Sequence, residues 1–320
     1  MKYPGFDTVL DSCLRIRPGE EVLLLTDEGT DAQVVAGLVD GVSSRRAVPV
    51  IAAMRMPFIP GAEPPAAVAA ALLSAGAAIE LTSLFIGSSR ARQRASAAGV
   101  RYLAMPGVEL GTFRSGGPLT VDFDSQRAVA VKVGTAWDRG SGFRLTSPAG
   151  TDLRGSIENR AGRVLDGIAR ADGQYMAPPD IEAGTAPVEE TTSGVAVIDG
   201  DLLFMGRGPL PEPVVMHFED GRMVGVEGTH RNRLLEMIAR CDDDRMSNLA
   251  EVSMGLNPLG TICGVPMETE SALGTAHIAL GNSIAYGGTV DATAHLDCVM
   301  AAATLEIDGE VVISDGELTE

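Results

Sequence analysis

Glu21-Val22-Leu23-Leu24-Leu25-Thr26 is an apolar run that follows the turn Pro18-Gly19 and gives way to polar residues at Asp27. An apolar run of this length without alternation reads as a strand covered on both faces, as in a parallel sheet. Working outward, Asp31 to Val42 carries apolar residues at helical spacing, and Ala47-Val48-Pro49-Val50-Ile51 reads as a second strand. An alanine-rich helix from Pro65 to Ser74 leads into a strand over Ala78 to Leu81. Helix Ser89 to Ala98 then stops at Gly99, ahead of a strand over Arg101 to Met105. Strands alternating with helices imply βαβ units. An N-terminal Rossmann-like α/β domain over residues 1–120 is therefore expected. None of its strand-to-helix turns holds GxGxxG or GxxxxGK[ST], so nucleotide binding by those loops has no support.

Beyond Pro118 the texture changes. Arg127 to Val133 and Gly142 to Thr146 read as strands, and a loop rich in Pro, Asp and Glu runs from Ala177 to Thr192. Strands over Gly194 to Ile198, Val214 to Glu219 and Arg222 to Val226 carry the hairpin turns Asp199-Gly200 and Asp220-Gly221, and a helix follows over Asn232 to Ala239. The pattern predicts a C-terminal α+β domain over 121–320, with the boundary near 115–125.

Composition narrows the partners. The 320 residues hold 25 basic and 43 acidic side chains, a net charge of −18, and only two lysines, Lys2 and Lys132. That balance argues against nucleic acid or an anionic membrane as partner. The stretch Ala66 to Ile79 is almost wholly apolar but is shorter than the roughly 20 residues of a spanning helix, and Glu80 interrupts it. A buried helix followed by a buried strand is the expectation. Cys13, Cys241, Cys263 and Cys298 show no CxxC spacing, and no apolar segment separates the charges at the N-terminus. A cytoplasmic location follows as an expectation.

Histidine is scarce: His217, His230, His277 and His295. His217, between Met216 and Phe218, and His230, after Gly-Thr, read as surface or hydrogen-bonded structural residues. His295-Leu296-Asp297 lies in the apolar run Ala294 to Met300, where alternation sends residues i and i+2 to one face. A nitrogen–oxygen pair of this kind suits a divalent cation, although a buried His hydrogen-bonded to an Asp gives the same pattern. His277 sits in the apolar run Thr275 to Leu280, and Glu251 in Ala250 to Gly255. An unpaired buried carboxylate costs several kcal/mol. Two imidazoles and two carboxylates on neighbouring apolar segments compensate one another if a cation joins them.

A series of blocks carries a resemblance. Glu251 stands ahead of Gly255-Leu256-Asn257-Pro258, and Glu268-Thr269-Glu270 precedes Leu273 to Asn282. Gly287-Gly288, His295-Leu296-Asp297, Glu182 to Pro187, Gly150 to Leu153 and Cys13 to Glu20 complete the set. In this order they resemble the aminopeptidase T group of metallopeptidases, the M29 family, over nearly the whole chain. The resemblance implies two divalent cations (Zn, Co or Mn) held by Glu182, Glu251, His277, His295 and Asp297. It further implies a homodimeric exopeptidase acting on a small or short-peptide substrate, with the metals in the C-terminal domain. Cations sharing a carboxylate acidify water and hold a developing oxyanion, with Glu182 or Glu251 as general base. The family tyrosine, seven residues after the block's histidine, falls on Ile284; Tyr286, two residues later, is the candidate substitute.

Ring-cleaving dioxygenases acting on 2,5-dihydroxypyridine resemble the same scaffold and imply one Fe(II) held by two His and one Asp. His295 and Asp297 match that set, but the first histidine falls on Glu251, leaving His277 to replace it in another arrangement. A degenerate, non-catalytic binding protein is the third reading.

Overall fold

The computed structural model describes residues 2–206 and 208–319. The chain forms two compact units: Met1–Gln126 with Leu165–Asp180 and Val265–Glu268, and Arg127–Val164 with Ile181–Gly264 and Thr269–Glu320.

The first unit is built on β1 (Glu21–Thr26), α1 (Ala32–Ser44), β2 (Val48–Ala53), α2 (Ala66–Ser74), β3 (Ala77–Glu80), α3 (Arg90–Ala97) and β4 (Arg101–Ala104). The strands form a parallel sheet in the order β2-β1-β3-β4, extended by the short strand Tyr175–Met176. Sequence chemistry sets the helix starts: Asp31 accepts the Gln33 N–H at 2.8 Å, and Ser89 that of Arg92 at 3.3 Å. Val34, Leu38 and Val42 form the buried stripe of α1. Strand order reverses between β1 and β3, the place where open α/β sheets bind ligands. Here Asp27, just past β1, accepts the Ser83 N–H and Oγ–H at 2.7 Å each and ties the two loops together.

The expected membrane-like stretch divides into α2 and β3. Strand β3 is fully buried, whereas α2 buries only Val68 and Leu72. No helix among the described residues is long and apolar enough to cross a membrane.

The strand expected over Arg127 to Val133 is instead part of α4 (Phe123–Arg139). Its Ala-Val alternation mimics a strand, but Ala130, Val133 and Trp137 fall three and four residues apart and are buried together as a helical stripe. Val131, off that stripe, is left exposed.

The second unit holds two antiparallel sheets. The eight-stranded one includes the hairpin Val214–Glu219 with Arg222–Glu227, whose turn residues Asp220 and Gly221 both have positive φ, as a two-residue turn requires. The six-stranded sheet contains β5 (Arg163–Leu165), β6 (Glu182–Thr185), β7 (Leu249–Gly255), β8 (Ala276–Gly281) and β9 (His295–Met300). Its order is β9-β8-β7-β6-β5, with Asp201–Leu202 outside β9. The fold is thus mixed α/β, a parallel sheet in one unit and antiparallel sheets in the other.

Candidate metal centre

Register gathers the site on one face of the six-stranded sheet. Ser253 on β7 lies opposite His277 on β8 and Gly184 on β6, while Gly255 lies opposite Glu182. A bulge in β7 between Leu249 and Glu251 sets Glu251 opposite Ala279. On β9, Asp297 pairs with Ala279 and His295 with Gly281. Residues with little or no side chain on the central strand thus leave room for the carboxylates and imidazoles around them. Gly184 is required by close approach: a Cβ there would run into the Ser253 side chain and the Val252 carbonyl.

Glu182, Glu251, His277, His295 and Asp297 converge in this structure. Nε2 of His277 is 3.0 Å from Oε2 of Glu182 and 3.1 Å from Oε1 of Glu251. Nε2 of His295 is 2.9 Å from Oε2 of Glu251 and 3.2 Å from Oδ1 of Asp297. Two ligand groups result, Glu182–Glu251–His277 and Glu251–His295–Asp297, and they share Glu251. A third, Glu270–His277–Asp297, brings in a carboxylate that the sequence offered only within the Glu268-Thr269-Glu270 block. Each group contains one imidazole. Side chains of Glu182, Glu251 and His277 are 2% exposed or less, against 15% for His295 and 14% for Asp297, so solvent reaches the site from the β9 side.

Electrostatics follow from burial among opposite charges. Burial alone would raise the Glu251 carboxyl, but the hydrogen bond with His277 and the His295 imidazole beside its other oxygen outweigh it and bring it down to about 2. Burial alone would lower both imidazoles. Instead Glu182 and Glu251 push His277 well above its ordinary value, and Asp297 and Glu251 do the same to His295.

Residues around the ligands fix their orientation. Nδ1 of His295 lies 2.7 Å from the Asn282 carbonyl, which can only accept, so Nδ1 carries the proton and the Nε2 lone pair of the neutral ring faces the site. Ser253 donates to Oε1 of Glu251. Its position two residues along a strand from Glu251, on the same face, is the local signal that marks it. Tyr286 donates to Oε1 of Glu182 at 2.6 Å and stacks on His295 with centroids 5.6 Å apart, while Ile284 is exposed. Burial and the charges of Glu182 and Glu251 hold the Tyr286 phenol well above its ordinary pKa, so it is a proton donor at neutral pH. Arg163 lies over the Tyr286 ring at 4.8 Å and donates to the Ala285 carbonyl. The other two histidines lie outside this group; His217 pairs with Glu227 at 3.1 Å.

The donor set fits a cation. Nitrogen and carboxylate oxygens 2.9–3.2 Å apart have the spacing of ligands about 2 Å from one ion. Oε2 of Glu251 and Nδ1 of His277 are buried with no hydrogen-bond partner, and Oε2 is turned toward the ligand cluster.

The family model for NicX, 2,5-dihydroxypyridine 5,6-dioxygenase, matches residues 3–320. The chain belongs to the NicX family. Its fold is similar to that of 2,5-dihydroxypyridine dioxygenase from Pseudomonas putida KT2440, with a TM-score of 0.79 and 18% identity over 99% of this chain and 96% of that one. It is also similar to AmpT from Thermus thermophilus, with a TM-score of 0.67 and 16% identity over 99% of both chains. Among curated proteins no relative matches. At these identities the two structures speak for the fold, and within the NicX family the chemistry rests on the side chains described above.

Proposed function

We propose that this member of the NicX family is a metal-dependent hydrolase, aminopeptidase-like, that cleaves an amide bond of a small peptide or peptide-like metabolite. The observation that carries this reading is Glu251, whose two oxygens face two different imidazoles and which belongs to two ligand groups at once. That arrangement suits two divalent cations (Zn, Co or Mn): His277 and Glu182 would hold one, His295 and Asp297 the other, and Glu251 would serve both. The ions, when bound, supply acidified water and electrophilic stabilisation of a developing oxyanion.

The remaining work falls to the chain. Glu251 has both oxygens committed to imidazoles. Glu182 has one oxygen turned to the Tyr286 hydroxyl, and we assign it as the proton acceptor. The single Tyr286 O–H, given to Glu182 in this structure, would turn to the substrate oxygen as negative charge develops and Glu182 takes up the proton. Burial of Glu182, Glu251 and His277 excludes bulk water from the inner half of the site. A cytoplasmic location belongs to this reading and rests on cysteine usage.

The second reading, an Fe(II)-dependent ring-cleaving dioxygenase of the 2,5-dihydroxypyridine type, is favoured by the family match. Against it, each ligand group among the described residues contains one histidine, whereas a facial triad needs two with one carboxylate. Elemental analysis of protein purified without chelator separates the two: two Zn, Co or Mn per chain support the hydrolase, and one Fe the dioxygenase. Rapid iron-dependent oxygen uptake with a dihydroxypyridine would overturn the hydrolase reading. A chain that takes up no metal would be a binding protein.

A further inference from the structure

Tyr286 rides on the connection between β8 and β9, where Ile284, Ala285, Gly287 and Thr289 are all exposed. A segment with so few buried apolar contacts keeps its place through polar ties. Here three successive carbonyls are tied. Arg163, the first residue of β5, donates to the Ala285 carbonyl, and Arg160 donates to that of Gly287. Between them the Tyr286 carbonyl accepts the Ala186 N–H at 3.1 Å. Arg160 also pairs with Glu189, whose Oε1 accepts the Thr289 N–H at 2.7 Å and its hydroxyl at 2.9 Å. The two arginines thus grip the backbone on both sides of Tyr286.

The phenol itself meets groups of different standing. Its hydroxyl donates to Glu182 and its ring stacks on His295, both of them ligands of the candidate centre. The Arg163 guanidinium, 4.8 Å from the ring centroid, belongs to neither ligand group. The bond to Glu182 is given up when the hydroxyl turns to substrate, whereas the Arg163 contact has no part in that exchange. A guanidinium can donate from its edge to a carbonyl while lying over a ring; an ammonium, a compact point charge, is not shaped for both at once.

We propose that Arg163 is a positioning residue for Tyr286: with Arg160 it holds the phenol at the metal centre while the hydroxyl passes from Glu182 to substrate. The phenol's task rests on the hydrolase reading; its placement by Arg163 does not.

The test follows the Tyr286 ring by NMR of the full chain labelled with ring-13C tyrosine. The chain has four tyrosines, and Tyr286→Phe identifies the resonance. In Arg163→Ala that resonance should move and broaden, while the other three stay in place and show that the fold is intact. Added guanidinium should return it, and ammonium should not. With leucine p-nitroanilide as the probe substrate, kcat should fall by about 100-fold at unchanged KM, the cost of a misplaced group, and guanidinium should restore it. A resonance that does not move, or that moves and is not returned by guanidinium, overturns the proposal. So does a raised KM with kcat intact. If Arg163→Ala loses the other three resonances as well, Arg163→Lys decides: a displaced Tyr286 resonance supports the proposal and an unmoved one overturns it. A wild type that leaves the anilide uncut counts against the hydrolase reading alone, and the NMR result then decides the placement by itself.

Discussion

Nε2 of His295 stands 2.9 Å from Oε2 of Glu251, yet that buried oxygen accepts no aligned hydrogen bond. The nitrogen lies beside the oxygen rather than in line with it, as two groups do when both face a third. Without a cation, the third party is replaced by protons on the imidazoles.

Metal binding should therefore release protons. His277 and His295 have raised pKa values in the metal-free chain, so their stabilising contribution is complete below about pH 6.5 and fades as pH climbs through the raised values. Glu251 acts oppositely: its contribution is present above its ordinary 4.5 and is lost only as pH falls through about 2. The metal-free chain should melt at progressively lower temperature on the alkaline side, and Zn or Mn should recover more there than at pH 6. Calorimetric titration in buffers of different ionisation enthalpy measures the release; none at pH 7 would contradict the protonated pair.

If Glu251 serves two ions, metal counts should respond unequally to single substitutions. Glu182→Gln removes a donor from one group and Asp297→Asn from the other, so each should leave about one ion per chain. Glu251→Gln should weaken both, by 10-fold or more in affinity. Elemental analysis after gel filtration reads this directly, and equal losses in all three variants would argue for a single ion.

Much of this was legible from the residues. The β1 run Glu21–Thr26 fell where the structure has it, because a strand buried on both faces has no wet side to confuse its pattern. That Glu251, His277 and the His295/Asp297 pair come together was legible because polar groups in apolar strands demand compensation. What was hidden depends on distant pairing. Nothing local tells that Ser253 abuts Gly184, or that Asn282 orients His295, since register across strands sets both contacts. Arg127 to Val133 misled because an Ala-Val run satisfies both periods over a short window, and only Trp137 beyond it completes the helical stripe.

Glu80, at the end of β3, gives the first unit its own pH dependence. Burial raises its carboxyl from 4.5 to about 7 despite hydrogen bonds from Ile86, Tyr102 and Thr82. A raised carboxyl stabilises the fold while protonated, so this contribution is whole below about 4.5 and is lost as pH rises through about 7. The loss by pH 9 is on the order of 3 kcal/mol. Glu80→Gln keeps a neutral group among the same partners and should flatten the decline in urea-unfolding midpoint between pH 5 and 9. An unchanged slope would mean that Glu80 ionises at no cost to the fold.

Gly184 and Ser253 supply the sharpest test of how the sheet builds the site. A methyl group at 184 meets the Ser253 side chain and the Val252 carbonyl, so Gly184→Ala should part β6 from β7 and cost about 1–3 kcal/mol. It should also draw Ser253 away from Oε1 of Glu251 and weaken metal binding. Adding Ser253→Ala removes the closest of three collisions, that with Oγ, and leaves those with the residue-253 Cβ and the Val252 carbonyl at 2.6 Å each, so the double variant should regain part of the stability without regaining metal affinity. Trp137 reports on both, since it is the only tryptophan and its indole N–H donates to the Ala183 carbonyl at 3.2 Å. Its emission should shift in Gly184→Ala and move back in the double variant. Full recovery of metal affinity there would show that the Ser253 hydroxyl has no part in holding Glu251.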